Sequence, residues 1–258
     1  MLNPCLELIS KLTRATCQTA FISKDGGITM QVDFFISALK LALSSKTLYV
    51  MGCFGSPMTE GNKERYKNNH SYNRQAARRA MIDAADADTF GFDCVNLIKG
   101  ILWGWDGDTS KTYGGAKYAS NGVPDVGADK MITLCSKVSD FSTRPVEVGE
   151  FVWLPGHCGV YVGDGCAIES SPAWKNGVQK TKLADRVWVK HGFLPWVEYE
   201  EDVKPVMDNV PSDWAKEACD WCVAHGFFAG SDTGDFKWHS TVTRQELAQV
   251  IYRAFGSD

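Results

Sequence analysis

The hydrophobic positions in the first half of the chain recur mainly at helical spacing. Residues 32–43 carry apolar side chains three or four positions apart, which predicts a helix with one buried face. Residues 95–102 repeat this pattern behind Asp93, a residue type that often caps a helix N-terminus. Between these helices, 49–55 is expected to be a short strand or turn. The polar segment 56–90 is interpreted as an insertion with a helix near 73–86.

From Pro145 onward the period changes to an alternation of apolar and polar residues, after one more predicted helix near 128–137. This alternation is typical of half-buried strands. Gly163-Asp164-Gly165 separates two of the predicted strands and favours a hairpin turn. The expected strands are 146–154, 159–162, 166–169 and 187–190, with 193–198 closing the unit. Helices combined with these strands predict an α+β catalytic domain over residues 30–198.

The last sixty residues have a different organisation. The charged run 199–205 ends in a proline and is interpreted as a linker. In the segment 206–258, Trp214 lies on one face of a predicted helix, and Thr243-Arg244-Gln245-Glu246 forms a capping box that opens a second helix. We expect the apolar side chains of the second helix to face inward, at Leu247, Val250, Ile251 and Ala254. This pattern predicts a small all-α module, whose stability on its own is expected to be marginal.

Residues 1–29 show neither sustained periodicity nor strong helix caps and are interpreted as an N-terminal extension. Two glycine codons just before Met30 can form a bacterial ribosome-binding sequence, so one hypothesis is that the biological start is Met30. Lys11 and Arg14 interrupt the apolar core that a secretion signal needs. We therefore expect synthesis in the cytoplasm without a signal peptide.

Composition and charge narrow the classes of function. The 258 residues correspond to one or two domains, and 22% charged with 44% hydrophobic residues is ordinary for a folded protein. Because 31 acidic side chains exceed 27 basic ones, no net positive field favours nucleic-acid binding. The longest apolar stretch, 34–43, contains Lys40 and is too short to cross a bilayer. We expect neither a nucleic-acid partner nor a membrane partner.

The nine cysteines are spread along the chain and do not form a compact disulfide framework. This usage fits a reducing compartment with at least one free thiol. Cys219 and Cys222 have the spacing of a metal or redox pair, but both lie on a predicted helix and no second pair accompanies them. We interpret them as packing residues, and we expect no metal site and no organic cofactor.

Cys94 differs from the other cysteines in its position at the first turn of a predicted helix. Unpaired backbone N–H groups and the positive end of the helix dipole favour the thiolate there, and the thiolate is the nucleophilic form. The same N–H groups can bind the oxyanion of a tetrahedral intermediate. The alternative is a buried structural cysteine.

A cysteine nucleophile needs a base, and His157 opens one strand of the predicted hairpin. Glu169 lies on the return strand, where its carboxylate can accept the second N–H of the imidazole. Strand alternation puts Cys158 on the opposite face from His157, so Cys158 is not expected to be the thiol that His157 activates. The alternatives are a surface histidine and a solvated glutamate.

Four motifs follow one another in a characteristic order: Tyr49-Val50-x-Gly52, Phe92-Asp93-Cys94-x-x-Leu97-Ile98, Gly149-Glu150-Phe151-Val152 and His157-x-Gly159-Val160-Tyr161-Val162-Gly163-Asp164-Gly165. Over residues 32–198 this order resembles the NlpC family of papain-like cell-wall cysteine peptidases. In that family the cysteine follows an aspartate at a helix start, and the histidine begins a strand. The resemblance therefore implies a papain-like α+β fold in which helices pack on an antiparallel sheet.

The resemblance also implies roles for individual residues. Cys94 matches the nucleophile, with Asp93 before it, and His157 matches the base. Glu169 matches the third polar residue, and Tyr49 matches a tyrosine that lies near the nucleophile and supports the oxyanion. The chain departs from the family pattern at three places: the third residue is more often His, Val95-Asn96 replaces a common Ser-Gly, and the insertion 56–90 is large.

Residues 206–258 resemble one S-layer homology module through Trp214-Ala215, Gly226, Gly234-x-Phe236 and Thr243-Arg244-x-Glu246-Leu247. Such modules usually occur in threes and bind anionic cell-wall polysaccharides. The resemblance implies that Arg244 and Trp214 contact wall polymer; the alternative for Arg244 is a helix-capping role. Because the chain has one module, an oligomer of three chains is one way to supply three.

Together the two resemblances imply a peptidoglycan hydrolase that cleaves an amide of the stem peptide. An absent export signal adds the expectation of a phage or prophage endolysin that acts on the bacterial cell wall. The alternatives are an N-acetylmuramoyl-L-alanine amidase or an acyltransferase with the same Cys–His pair, and a catalytically silent wall-binding protein.

Overall fold

The structure is a computed structural model of the chain and describes residues 21–24, 27–199, 208–228, 234–240 and 243–255. The chain divides into two units, one ending at Tyr199 and the other beginning at Glu200. Helices and strands alternate irregularly in the first unit, so the predicted α+β class is confirmed. Within the described ranges, no helix has the length and apolar character that crossing a bilayer requires. Most of the predicted extension, 1–29, lies outside the described residues.

Five α-helices occur in the described part of the first unit: α1 (Val32–Ser44), α2 (Glu60–Asn69), α3 (Ala76–Ala84), α4 (Cys94–Leu102) and α5 (Ala128–Leu134). The predictions of α1 and α4 from their apolar period are confirmed. The insertion contains the expected helix as α3, and it also contains α2, which was not predicted. The sequence of α2 is almost entirely polar, so it carries no hydrophobic period to detect.

The strands are β1 (Phe21–Lys24), β2 (Gly27–Gln31), β3 (Thr47–Tyr49), β4 (Phe54–Pro57), β5 (Phe90–Phe92), β6 (Ser136–Asp140), β7 (Phe151–Leu154), β8 (His157–Tyr161), β9 (Cys166–Ser171), β10 (Gly177–Lys182), β11 (Lys190–Phe193) and β12 (Val197–Glu198). They form a six-stranded antiparallel sheet in the order β10-β9-β8-β7-β11-β6. Two three-stranded sheets, β1-β2-β12 and β3-β5-β4, accompany it.

The predicted hairpin is confirmed as β8 and β9. Gly163, Asp164 and Gly165 form its turn with positive φ angles of 91°, 52° and 65°, which glycine and aspartate tolerate best. The predicted strand 146–154 is shorter, since only β7 is extended there, and the strand expected at 187–190 begins at Lys190. The two edge strands, β6 and β10, were not predicted because their sequences are largely polar.

Helix α4 is the centre of the main core. All nine of its residues are buried, and it packs against α1, β4, β8 and β9. Gly100 permits this close approach, since a Cβ atom there would lie 2.5 Å from the carbonyl oxygen of Phe54. Trp103 and Trp105 are also buried, and their indole N–H groups donate to the carbonyls of Val123 and Gly55. Both tryptophans are therefore part of the main core.

The small sheet β3-β5-β4 connects the insertion to the rest of the unit. Strand β5 lies between β3, to which it is parallel, and β4, to which it is antiparallel. The edge of β3 meets the turn between β9 and β10: the Tyr49 N–H donates to the carbonyl of Asn176 at 2.9 Å, and the Val178 N–H donates to Thr47 Oγ1 at 3.0 Å. These bonds fix the end of β3 relative to the large sheet.

Tyr199, the first residue of the predicted linker 199–205, is part of the first unit. Its hydroxyl accepts a hydrogen bond from the Leu194 N–H and donates one to the carbonyl of Gly149, each at 3.0 Å. The remaining linker residues, 200–205, lie outside the described residues.

The second unit contains a 3-10 turn (Asp213–Ala215) and two helices, α6 (Lys216–Ala224) and α7 (Arg244–Phe255), in its described part. The predicted capping box is confirmed, because the Thr243 N–H donates to Glu246 Oε2 at 2.7 Å and the Glu246 N–H donates to Thr243 Oγ1 at 3.2 Å. The predicted inward face of α7 is wrong for Leu247 and Ile251, which are 49% and 51% exposed.

Candidate active site

Cys94 is the first residue of α4, directly after β5 and the cap residue Asp93. Asp93 Oδ1 accepts the Asn96 N–H at 2.8 Å, so the predicted N-cap is confirmed. Asp93 Oδ2 accepts the Gly52 N–H at 2.8 Å and the Asn96 side-chain amide at 2.7 Å. The aspartate therefore ties the start of α4 to the turn between β3 and β4 and fixes the position of Cys94.

The carboxyl of Asp93 is itself buried. Burial and the negative charge of Cys94 raise the pKa of Asp93 to about 7, although the N–H groups of Asn96 and Gly52 oppose the rise. Since those two N–H groups already donate to Asp93, neither is available to a substrate oxyanion. Asp93 therefore acts on the site by holding its backbone.

His157 and Glu169 lie on neighbouring strands of the large sheet. His157 is the first residue of β8, and its Nε2 hydrogen-bonds to Glu169 Oε2 on β9. The imidazole also stacks on the indole of Trp188, with ring centroids 5.9 Å apart and 17° between the planes. Because Nε2 is held by the carboxylate, Nδ1 is the ring nitrogen left to face the Cys94 thiol, with which His157 interacts.

Glu169 is completely buried and fully hydrogen-bonded. Oε1 accepts from Thr181 Oγ1 at 2.7 Å and from Arg186 Nε at 3.1 Å, while Oε2 accepts from Arg186 Nη2 at 2.7 Å. Burial alone would raise the pKa of Glu169, but the bonds from His157, Arg186 and Thr181 outweigh it and lower that pKa. Glu169 is therefore an ionised carboxylate aimed at the imidazole.

The thiol and the imidazole shift each other's ionisation in opposite directions. A hydrogen bond from Cys158 is the largest contribution that lowers the pKa of Cys94 well below its usual range; burial opposes it, and His157 adds to it. For His157, burial opposes protonation, but Cys94 and Glu169 outweigh it and raise the pKa to about 9. Both shifts favour the pair in which Cys94 is a thiolate and His157 is an imidazolium, which is the reactive form of a cysteine nucleophile.

Cys158 lies on the face of the sheet that packs against α4. It is completely buried beside Val160, and burial is the main reason that its pKa lies well above the usual value. Cys158 therefore remains a thiol and can donate to the Cys94 thiolate. The sequence predicts that Cys158 is not the thiol that His157 activates, but it gave no sign that Cys158 would support the nucleophile.

Tyr49 ends β3 and is buried. Burial and then the charge on Cys94 raise the pKa of Tyr49 strongly, so its phenol keeps its proton and can donate it in a hydrogen bond. The insertion supports this tyrosine: its ring packs edge-on against Tyr72 at 5.9 Å, and Arg78 from α3 donates to its carbonyl and to Asn176 Oδ1. The insertion thus anchors a residue beside the nucleophile.

The structure accordingly brings together Cys94, His157 and Glu169, with Tyr49 and Asp93 beside the cysteine. Thr181 and Arg186 were missed by sequence reasoning, because β10 and the segment after it carry no recognisable pattern. The only available signal was indirect: a carboxylate on a buried strand needs hydrogen-bond donors.

The two residues assigned to wall polymer lie in the second unit. Trp214 belongs to the 3-10 turn and is 90% exposed, and Arg244 is the exposed first residue of α7. Cys219 and Cys222 both lie on α6, as expected. Across the described ranges, no cluster of three or more His, Cys, Asp or Glu side chains has an arrangement suited to a metal ion.

Comparison of the chain with models of known protein families gives no match, and comparison with curated proteins gives none either. The geometry around Cys94 is therefore the feature of the molecule that points to a function.

Proposed function

We propose that the protein is a peptidoglycan hydrolase in which Cys94 attacks an amide bond of the stem peptide. The observation that carries this proposal is the buried chain of contacts from Cys94 through His157 to an ionised Glu169. Nucleophile, base and orienting acid in this order are the set of groups that thiol-dependent amide cleavage requires.

The chemistry follows from the charges of these groups. The Cys94 thiolate adds to the amide carbonyl carbon, and the negative charge moves to the carbonyl oxygen. The Val95 N–H, which points at the Cys94 sulfur, and the Tyr49 hydroxyl are the donors next to that position. The imidazolium of His157 then gives its proton to the leaving amine, and the C–N bond breaks to leave a thioester.

Hydrolysis of the thioester completes the cycle. The neutral imidazole takes a proton from water, the resulting hydroxide attacks the thioester carbon, and the thiolate leaves. Throughout, Glu169 remains ionised and holds the ring in the orientation that keeps Nδ1 towards the sulfur. The net reaction consumes one water and releases a carboxylate and an amine.

We further propose that the first unit has the papain-like, NlpC-type fold and that the second unit is a small all-α module. A helix that begins with the cysteine and packs on an antiparallel sheet carrying the base supports the first part. For the second unit we propose that Arg244 and Trp214 contact anionic wall polysaccharide, and that chains associate through this module. In this proposal the protein is an endolysin that is made in the cytoplasm and acts on the cell wall.

The experiment is a clearing assay on purified cell walls with wild type, Cys94→Ser and a matched control, Cys166→Ser. Cys166 is a partly exposed thiol in the same unit, at the start of β9. We expect wild type and Cys166→Ser to clear the walls equally, and Cys94→Ser to bind them without clearing. Equal clearing by Cys94→Ser would reject the nucleophile.

Two further outcomes separate the alternatives. Wild type that binds walls but never clears them would instead be a silent wall-binding protein. If clearing occurs, mass spectrometry of the fragments distinguishes a new amine within the stem peptide, which the proposal requires, from release at the muramoyl–alanine amide.

A further inference from the structure

The third residue of the site is an anion, and this creates an electrostatic problem. Glu169 has 0% exposure, deeper than the imidazole that it orients. An uncompensated carboxylate at such a depth is costly and tends to take up a proton. A protonated Glu169 would stop attracting the imidazolium, so the site needs a feature that keeps the carboxylate charged.

Arg186 meets both oxygens of this carboxylate. Its Nε donates to Oε1 at 3.1 Å and its Nη2 donates to Oε2 at 2.7 Å, a two-pronged arrangement that fixes the carboxylate plane. Thr181 occupies a second position on Oε1 at 2.7 Å. The lone pair that remains on Oε2 therefore points to His157.

The guanidinium of Arg186 is itself held in place. Nη2 also donates to Ser171 Oγ at 3.0 Å, and the group lies 4.4 Å from the ring centre of Trp174. The 3-10 turn that precedes it, Leu183–Asp185, is tied to the β8–β9 hairpin by a bond from the Leu183 N–H to the carbonyl of Gly165 at 2.8 Å. The hairpin that carries the base and its acid thus also positions the arginine.

Charge balance shows what the arginine contributes. A thiolate and an imidazolium sum to zero, and a buried glutamate leaves the group of side chains with one net negative charge. Asp93 is a second buried carboxyl beside Cys94, and Lys99 opposes its charge, so the charge of Glu169 is the one that is offset by Arg186. Without it, the extra negative charge disfavours the thiolate, so ionisation of Cys94 would require a higher pH.

We propose that Arg186 is a positioning residue for the nucleophile: it keeps Glu169 ionised, aims its Oε2 at His157, and thereby favours the charged form of the Cys94–His157 pair. This inference rests on the proposed Cys–His–Glu mechanism. It does not depend on the identity of the wall bond.

The test measures the alkylation rate of Cys94 by iodoacetamide against pH, with peptide mapping to isolate this thiol. No wall substrate is involved, so a failed clearing assay would leave this result interpretable. For Arg186→Met, we expect the midpoint of the alkylation curve to rise by about one pH unit. Arg186→Lys keeps the positive charge but loses the two-pronged hydrogen bonding, so its midpoint should rise less than that of Arg186→Met.

A double variant supplies the sharper comparison. If the arginine acts through Glu169, Arg186→Met should raise the midpoint less in a Glu169→Gln background than in wild type, because the carboxylate on which it acts is already absent. A purely structural role for Arg186 would lower the melting temperature and leave the midpoint of the folded protein unchanged.

A midpoint for Arg186→Met within about 0.2 pH units of wild type would overturn the proposal, since a direct charge partner shifts ionisation by far more. If Arg186→Met does not fold, Arg186→Gln and Arg186→Lys replace it. A higher midpoint in Arg186→Gln than in Arg186→Lys supports a role for the positive charge of Arg186, and equal midpoints reject it.

Discussion

Replacing Cys94 by alanine should lower the pKa of His157, because the two groups stabilise each other's charged forms. Cys94 is the leading contributor that holds the proton on the imidazole, and Glu169 is the second. Burial acts in the opposite direction. Removing the thiolate therefore leaves a buried imidazole supported by Glu169 alone.

The expected fall in the pKa of His157 follows from how far that pKa is raised in the wild-type protein. The pKa of His157 is about 9 against an ordinary 6.5, and a difference of this size corresponds to about 3 kcal/mol in favour of the imidazolium. If Cys94 supplies half of the net effect or more, its removal lowers the pKa by more than about one unit, to below about 8. Cys94→Ser, which keeps a hydrogen-bonding group but not the charge, should give an intermediate value.

The assay is an NMR titration of the His157 ring nitrogens in wild type, Cys94→Ala and Cys94→Ser. If the pKa of His157 in Cys94→Ala lies within about 0.3 of the wild-type value, the thiolate–imidazolium pair does not exist and the mechanism fails.

Three further predictions follow from the same geometry. Because the pKa of Cys94 is lowered, iodoacetamide should modify Cys94 at pH 6. Because the pKa of His157 is about 9, wall clearing should decline above about pH 9, where the imidazolium loses its proton. A clearing rate that still rises at pH 10 would contradict the assignment. Cys158→Ala should raise the pH needed to ionise Cys94, and Cys158→Ser should raise it less, since a hydroxyl still donates; alkylation curves that superimpose would refute this role. Gly100→Ala should lower the free energy of unfolding, measured in urea, by about 1–3 kcal/mol because the new Cβ would collide with the backbone of Phe54. The control is Gly61→Ala, whose Cβ meets no atom within 4 Å and which should be neutral or slightly stabilising. Equal effects of the two variants would show that α4 does not pack as described.

The elements that could be predicted are those whose folding depends on local signals. Helix α4 has a cap residue and a buried face within its own sequence, and the β8–β9 hairpin has a turn that glycine and aspartate favour. The edge strands β6 and β10 lack such signals, because they acquire their structure by pairing with β11 and β9. Their polar sequences therefore resemble loops until the neighbouring strand is known.

The same distinction applies to the site. Cys94 and His157 could be predicted because Cys94 begins a helix and His157 begins a strand, and the starts of such elements can be recognised in a sequence. Thr181, Arg186 and Cys158 act through strand register and packing between distant segments, which no local pattern records. The exposure of Leu247 on α7 has a related cause. The spacing of hydrophobic residues identifies an apolar face of the helix, but it does not identify what packs against that face.

The acyl-enzyme on Cys94 is the intermediate that the proposed mechanism cannot do without, and it can be observed directly. Purified protein is mixed briefly with soluble muropeptides, quenched in acid, and the peptide containing Cys94 is weighed by mass spectrometry. We expect a thioester adduct on Cys94 whose mass equals the acyl part of the cleaved peptide and which hydroxylamine removes. Cleavage of muropeptides by protein whose Cys94 has been fully blocked with iodoacetamide would contradict this mechanism.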